Sequence, residues 1–249
     1  MAGHSKWANT KYRKERVDAK KSKIFSRISK EIISSVKRGG SDARINSELK
    51  FLIQKAKSVN FPKESIERNI KKASQADQLD YETIWYEIYG FGGVGIIVQV
   101  MTDNKNHVLS ELRVAINKKG GNMAAPGSVF FNFDRKGIIL ITELTDYNFD
   151  TIYFAGIEAG AEEIEETKNG IRLIMSWDVL LHMQEKLELF GGTMNAQRIV
   201  TPKMSIECSS KDKESNIELL TKLDEVSDVD AIYHLSLIHI SEPTRLGMI

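Results

Sequence analysis

The sequence predicts an α+β multidomain protein: a three-helix N-terminal domain followed by two ferredoxin-like α/β domains, one inserted in the other. Three observations carry this. Apolar residues recur at helical spacing up to about residue 73. From residue 81 on, short β-branched runs alternate with helical patterns. The charge also changes sign along the chain: residues 1–73 hold 20 Lys/Arg against 7 Asp/Glu, and residues 74–249 hold 15 against 27. A net charge of +1 therefore hides a basic head on an acidic body, and such asymmetry points to a polyanion as the head's partner.

In the head, Ile24, Phe25, Ile28, Ile32, Ile33 and Val36 mark a helix from Asp18 to Arg38. Gly39-Gly40 ends it, because glycine adopts the left-handed cap conformation without a Cβ penalty. Ile45, Leu49, Leu52, Ile53 and Ala56 mark a second helix. Phe61-Pro62 opens a third, which carries Ile66, Ile70 and Ala73, with proline suited to the first helical position. Three apolar stripes can cover one another in a small bundle. The polar SQADQLD at 74–80 is the linker, so the head with its linker spans 1–80.

Beyond Tyr81, WYEIY (85–89) and VGIIVQV (94–100) read as strands across a glycine turn, and Asn106–Lys119 as a helix. SVFFNF (128–133) reads as a strand. Then follow GIILIT (137–142), a helix at Phe149–Ala159, EEIEET (162–167), GIRLIM (170–175), a helix at Trp177–Phe190 and NAQRIV (195–200). That run is a complete β-α-β-β-α-β unit between 136 and 200. The flanking pieces join with KMSIEC (203–208), a helix at Ser215–Val226 and DAIYHL (230–235) into a second such order. The expected outer domain is therefore discontinuous, 81–135 plus 201–235.

Several function classes are not expected. No run of ~18 apolar residues is present, and no apolar stretch follows the N-terminal charges, so neither a membrane span nor a signal peptide is read. Cys208 is the sole cysteine, which rules out an internal disulfide and fits a reducing, cytoplasmic setting. His4, His107, His182, His234 and His239 are scattered, and none pairs with cysteine at ligand spacing, so no metal or cofactor is expected. Nor do the residues assemble a nucleophile, a base and an orienting group, which argues against an enzyme and a small-molecule substrate.

GFGGVG (90–95) satisfies a dinucleotide-binding pattern. A strand-like IIVQV follows it instead of a helix, so a hairpin turn is the better reading. GGNMAAPGS (120–128) combines a helix stop with a connection of small residues. SVFFNF at strand spacing puts Phe131 and Phe133 on one face and Phe130 on the other. Such aromatics can stack on bases, but core packing is the expectation. Eight acids between residues 141 and 167 read as a solvated face that repels nucleic acid.

The opening MAGHSKWANTKYRKERVDAKKSK is the most informative stretch. Lys6, Lys11, Arg13, Lys14, Arg16, Lys20, Lys21 and Lys23 can each neutralise a phosphate and release a counterion. Trp7 offers a flat face for stacking on an exposed base, and His4 and Ser5 add donors. No zinc finger, zipper or recognition helix is evident, so contact with backbone and shape is expected instead of readout of a DNA sequence.

MAGHSKWANTKYRK, AKKSKIFSRISKEI, FPKESIERNIKK, YEIYGFGGVGIIV, TDNKNHVLSELR and GGNMAAPGSVFFNF, in order from residue 1 to about 235, resemble the YebC family. The resemblance implies a helical head and two α/β domains, one interrupting the other. It also implies nucleic-acid binding. The family has carried the label of probable transcriptional regulator, includes a mitochondrial translational activator of a cytochrome oxidase subunit, and is implicated in relieving ribosome stalling at proline stretches. The partner expected is therefore the ribosome or its RNA, with DNA as the alternative. Where the family commonly has proline in the glycine turn, this chain has Phe91. Residues 236–249 fit no element of the family and resemble a translated sequencing-adapter read, and no function is assigned to them.

Overall fold

A computed structural model describes residues 3–73, 80–144, 149–168 and 170–236, with side chains from Lys21 onward in the first helix. The chain divides into two compact units, 1–82 and 83–249.

In the first unit, α1 runs from Gly3 to Gly39, α2 from Ser47 to Ser58 and α3 from Lys63 to Ala73. The first helix thus begins fifteen residues before the expected Asp18. No glycine or proline interrupts residues 4–38, and a Lys/Arg/Ala-rich stretch has good helix propensity even without an apolar stripe. Gly40 ends α1 as expected, at φ +84° with its N–H on Val36 O at 2.8 Å.

Ile28, Ile32, Ile33 and Val36 of α1 are buried together with Leu49, Phe51, Leu52 and Ala56 of α2 and Ile66 and Ala73 of α3. Phe25 meets Phe61 edge-on, with centroids 4.9 Å apart. Ile45 departs from the expected stripe: it precedes α2 and is 81% exposed. The neighbouring Asn46 is buried instead. Its Oδ1 accepts the Leu49 N–H at 3.0 Å as N-cap of α2, and its Nδ2 donates to Ser35 O at 3.0 Å and Gly40 O at 2.9 Å. One side chain thereby satisfies orphan groups at two helix ends. Of the expected linker, residues 74–79 lie outside the described residues.

The second unit contains two four-stranded sheets. The first has strands β1 (Glu82–Tyr89), β2 (Gly95–Thr102), β3 (Asn122–Met123) and β8 (Val229–His234), in the order β3-β1-β2-β8. Helices α4 (Lys105–Lys119) and α7 (Ser210–Asp224) cover one face, burying Val108, Leu112, Ile116, Leu219 and Leu223 against Ile96, Val98 and Val100. Ile97 points the other way, into a cluster with Val129, Phe133, Val200 and Leu235. Both faces of β2 are covered, which is why VGIIVQV reads as a continuous apolar run instead of an alternating one.

The second sheet has β4 (Phe133–Thr142), β5 (Glu163–Thr167), β6 (Gly170–Ser176) and β7 (Thr193–Pro202), with α5 (Phe149–Glu158) and α6 (Leu180–Leu187) between them. Its order, β5-β6-β4-β7 with all neighbours antiparallel, is that of a β-α-β-β-α-β ferredoxin-like unit. Ile139 lies opposite Leu173 on one side and Ala196 on the other. This register lines up a buried face that also holds Ile141, Ile171 and Met175. Gly137 admits α6 to the sheet, since a Cβ there would stand 2.9 Å from Leu180 Cδ1.

The outer sheet differs from its expected composition. SVFFNF is a strand only from Phe133; Phe130–Asn132 is a 3-10 turn. KMSIEC contributes a single parallel bridge, Ile206 to Ser236. Their places in the sheet are taken by β1 and the two-residue β3. The cause at SVFFNF is Glu87. Its buried carboxylate on β1 accepts the N–H groups of Gly127, Val129 (2.6 Å) and Phe130 (2.8 Å), which removes them from any ladder. The 3-10 turn also breaks the alternation, so Phe133 is buried while Phe131 is 65% exposed.

Candidate nucleic-acid interface

The basic residues of the opening stretch all lie on α1. From Gly3 to Lys23 this helix extends about 30 Å. The apolar stripe that buries it on α2 and α3, Phe25-Ile28-Ile32, continues N-terminally at the same heptad spacing through Lys21, Asp18, Lys14, Lys11 and Trp7. In sequence, the stripe turns charged at Lys21.

Among the candidates, Lys21 is exposed, with its Nζ 5.3 Å from the Phe25 ring centroid, and Lys23 is half-buried. The side chains of His4, Ser5, Lys6, Trp7, Lys11, Arg13, Lys14, Arg16 and Lys20 lie outside the described residues.

Further along the head, cations are committed to the protein. Glu31 receives Arg27 Nε at 2.9 Å and Lys55 Nζ at 2.7 Å, tying α1 to α2. Burial works against the Glu31 charge, but the Lys55 and Arg27 cations and their hydrogen bonds outweigh it and hold the carboxyl below its ordinary range. Lys37 reaches Asp80 at 3.2 Å. Arg44 chelates Asp42 through three hydrogen bonds, which brings the Asp42 carboxyl down to about 2.

In α3, by contrast, Arg68, Lys71 and Lys72 are exposed because Ile66 and Ala73 face inward. They form a basic, exposed side of α3. They are absent from the residues expected above, although the run RNIKK signals a basic face.

The second unit handles its cations differently. Arg135 lies over the rings of Phe130 (5.3 Å) and Trp177 (5.6 Å), and Arg198 over Trp177 (6.0 Å). Trp177 Nε1 donates to Lys136 O at 2.8 Å and Ile199 O at 3.0 Å. Trp85 stands 6.0 Å from Trp177 and 5.5 Å from Phe130, so this aromatic group joins the two sheets. In the inserted unit, Lys136 pairs with Glu162, Arg172 with Glu165, and Lys186 of α6 with Glu158 of α5. These three bases are thus held by acids of the same unit.

The glycine turn is a hairpin, as expected. Phe91–Gly93 forms a 3-10 turn with Gly92 and Gly93 at φ +65° and +78°. Buried Asn216 of α7 clamps it, accepting Phe91 N–H at 2.9 Å and donating to Phe91 O at 3.0 Å. The turn's amides therefore serve the fold. Cys208 is half-buried beside this turn, outside any strand. Among the described residues, no group of three His, Cys, Asp or Glu side chains is placed to hold a metal ion. No described helix is long and apolar enough to cross a membrane.

Comparison with known proteins places this architecture. A family model described as the TACO1/YebC protein N-terminal domain matches residues 5–76, and one described as the TACO1/YebC second and third domain matches residues 81–235. The chain belongs to the TACO1/YebC family. A relative from Chlamydia pneumoniae, named a probable transcriptional regulatory protein, is 49% identical over 236 residues, covering 94% of this chain and 99% of its own. A second of the same description, from Protochlamydia amoebophila, is 48% identical and covers 94% and 96%. Among solved structures, a conserved hypothetical protein from Aquifex aeolicus superposes with a TM-score of 0.68 at 32% identity, over 88% of this chain and 91% of its own. The TACO1/YebC head matched from residue 5 includes every candidate residue from Ser5 to Lys23.

Proposed function

We propose that this protein is a non-enzymatic regulatory factor of the cytoplasm that binds nucleic acid through its basic head, and that its physiological target is ribosomal RNA. In this reading it is a translation factor that relieves stalling, for example at proline stretches. The observation that carries the reading is the run of α1 from Gly3: eight Lys/Arg residues between positions 6 and 23 lie on one helix, N-terminal to the apolar residues of its stripe. Such a segment has little to gain from packing on the protein and much from releasing counterions. The excess of acids in the inserted unit disfavours contact of that unit with a polyanion. Membrane and small-molecule partners have no part in this reading.

The description of the Chlamydia and Protochlamydia relatives as probable transcriptional regulatory proteins favours a second reading, a DNA-binding regulator. Sedimentation of cell lysate through a sucrose gradient, joined to binding at matched salt, separates the two. A ribosomal factor travels with a ribosomal subunit and prefers ribosomal RNA. A preference of about 10³-fold for one duplex DNA sequence over random DNA, the level of specific DNA binders, would establish the regulator instead.

A further inference from the structure

The second unit carries a cation that its acids do not hold. Arg135 of β4 is exposed, and among the described residues no carboxylate pairs with it. Its guanidinium lies over the rings of Phe130, 5.3 Å from the centroid, and Trp177, 5.6 Å from the centroid. A guanidinium on a ring face spends its plane on the ring and keeps its N–H donors at the edge. The platform beneath it is fixed. Trp177 Nε1 donates to Lys136 O on β4 and Ile199 O on β7, and Phe130 packs edge-on against Trp85. Arg198, diagonal to Arg135 across the β4–β7 ladder, brings a second guanidinium to Trp177.

The nearest acids along the chain are turned away. Asp134 and Lys136 face the other side of β4, because side chains alternate along a strand. There Asp134 is held by Lys203 at 3.6 Å, and Lys136 holds Glu162. The acidic strand β5 lies at the opposite edge of the sheet from β7.

Exposed apolar side chains stand next to this cation in the chain. Lys203 N–H donates to Asn132 O at 2.8 Å, one rung beyond the Phe133–Pro202 pair. Phe131 and Met204 flank that rung and are 65% and 59% exposed. The 3-10 turn separates two neighbouring phenylalanines: Phe130 packs on Trp85 and Arg135, while Phe131 faces solvent. An open aromatic ring near a fixed cation suits an unpaired strand, which offers a base face next to each phosphate. A paired duplex offers the phosphate but keeps its base faces stacked.

We infer that Phe131 and Arg135 form a nucleic-acid contact of the second unit whose ligand is an unpaired RNA strand. The guanidinium edge takes a phosphate, and the Phe131 ring stacks on a base. This inference rests on the RNA reading above and adds to the head a contact that requires single strand.

The test uses the full chain, a short uridine-rich RNA strand, the same strand fully paired with its complement, and a DNA duplex of equal length. The variants are Phe131→Ala and Arg135→Gln, with thermal melts to confirm folding. Phe131→Ala removes an exposed ring, so it decides the question even where Arg135→Gln loosens the aromatic platform. Phe131→Ala is expected to lower affinity for the single strand roughly 5- to 150-fold, the worth of one stacked base, with the salt slope and the affinity for paired RNA unchanged. Arg135→Gln is expected to lower the log–log salt slope on the single strand by about 0.7. If Phe131→Ala binds the single strand as the wild type does, or loses as much on paired RNA, the contact is wrong while the RNA reading stands. A folded Arg135→Gln protein with the wild-type slope also overturns the contact. If the wild type binds the DNA duplex more tightly than either RNA, both the contact and the RNA reading fail.

Discussion

Glu87 holds Val129: its carboxylate accepts the Val129 N–H at 2.6 Å across 42 residues of chain. The same group takes the N–H of Phe130 and of Gly127, and its own carbonyl accepts Ala124 N–H at 2.8 Å. One residue of β1 therefore shapes the whole connection from Ala124 to Phe130. Glu87→Gln replaces one acceptor oxygen by a donor that faces an N–H. Destabilisation of about 1–3 kcal/mol is expected, the cost of a buried hydrogen-bonding group left unsatisfied. Urea unfolding measures it, and hydrogen exchange at Val129 and Phe130 should accelerate ahead of exchange in β2.

The Asn216 clamp couples α7 to the glycine turn. Asn216→Ala strands the Phe91 N–H and C=O and should lower stability by about 1–3 kcal/mol. Gly90→Ala is also expected to destabilise, because its new Cβ would collide with Asn216 Oδ1. Removing Asn216 relieves that collision, so the double variant should be less destabilised than the sum of the two. Additive losses in a double-mutant cycle would mean that the clash is not the cause.

Glu31 makes the head sensitive to acid. Its folded-state pKa lies below the ordinary 4.5, so the native state binds fewer protons than the unfolded chain in that window. Its stabilisation is present above pH 4.5 and is lost as pH falls through the lowered value. Glu31→Gln should cost about 1–2 kcal/mol at neutral pH, between an exposed pair and a fully buried one stripped of its partner. The variant should also show a shallower decline of melting temperature below pH 4.5 than the wild type.

The inserted sheet closes within residues 133–202, with every β4–β7 pairing inside that span. A fragment of those residues should fold alone, with a cooperative melt and mixed α/β circular dichroism. A random-coil spectrum would mean that the aromatic cluster around Trp85 is required for folding.

Trp7 and the lysines of α1 should separate by mechanism. If the indole stacks on a base, Trp7→Ala costs about 1–3 kcal/mol of RNA affinity with the salt slope intact. Lys11→Gln lowers the slope by roughly 0.7–0.9. Titrations of ribosomal RNA at several salt concentrations distinguish the two.

By itself the sequence determined the features whose physics is local. Periodicity placed the second half of the first head helix, the other two head helices, and the helices and four strands of the inserted unit, while Gly39-Gly40 marked the end of α1 and GFGGVG the turn between β1 and β2. The basic residue types of the candidate interface were legible for the same reason: charge is read directly from composition. Tertiary structure alone decided where distant partners meet. SVFFNF has a strand's pattern, and only Glu87, more than forty residues earlier, turns its amides away from a ladder. Asn216 clamps Phe91 across 125 residues, and Asn46, not Ile45, enters the head's core because it can satisfy two helix ends at once. Hydrogen-bond demand at helix ends and loops is met by whatever side chain the fold brings near, and no local pattern carries that choice.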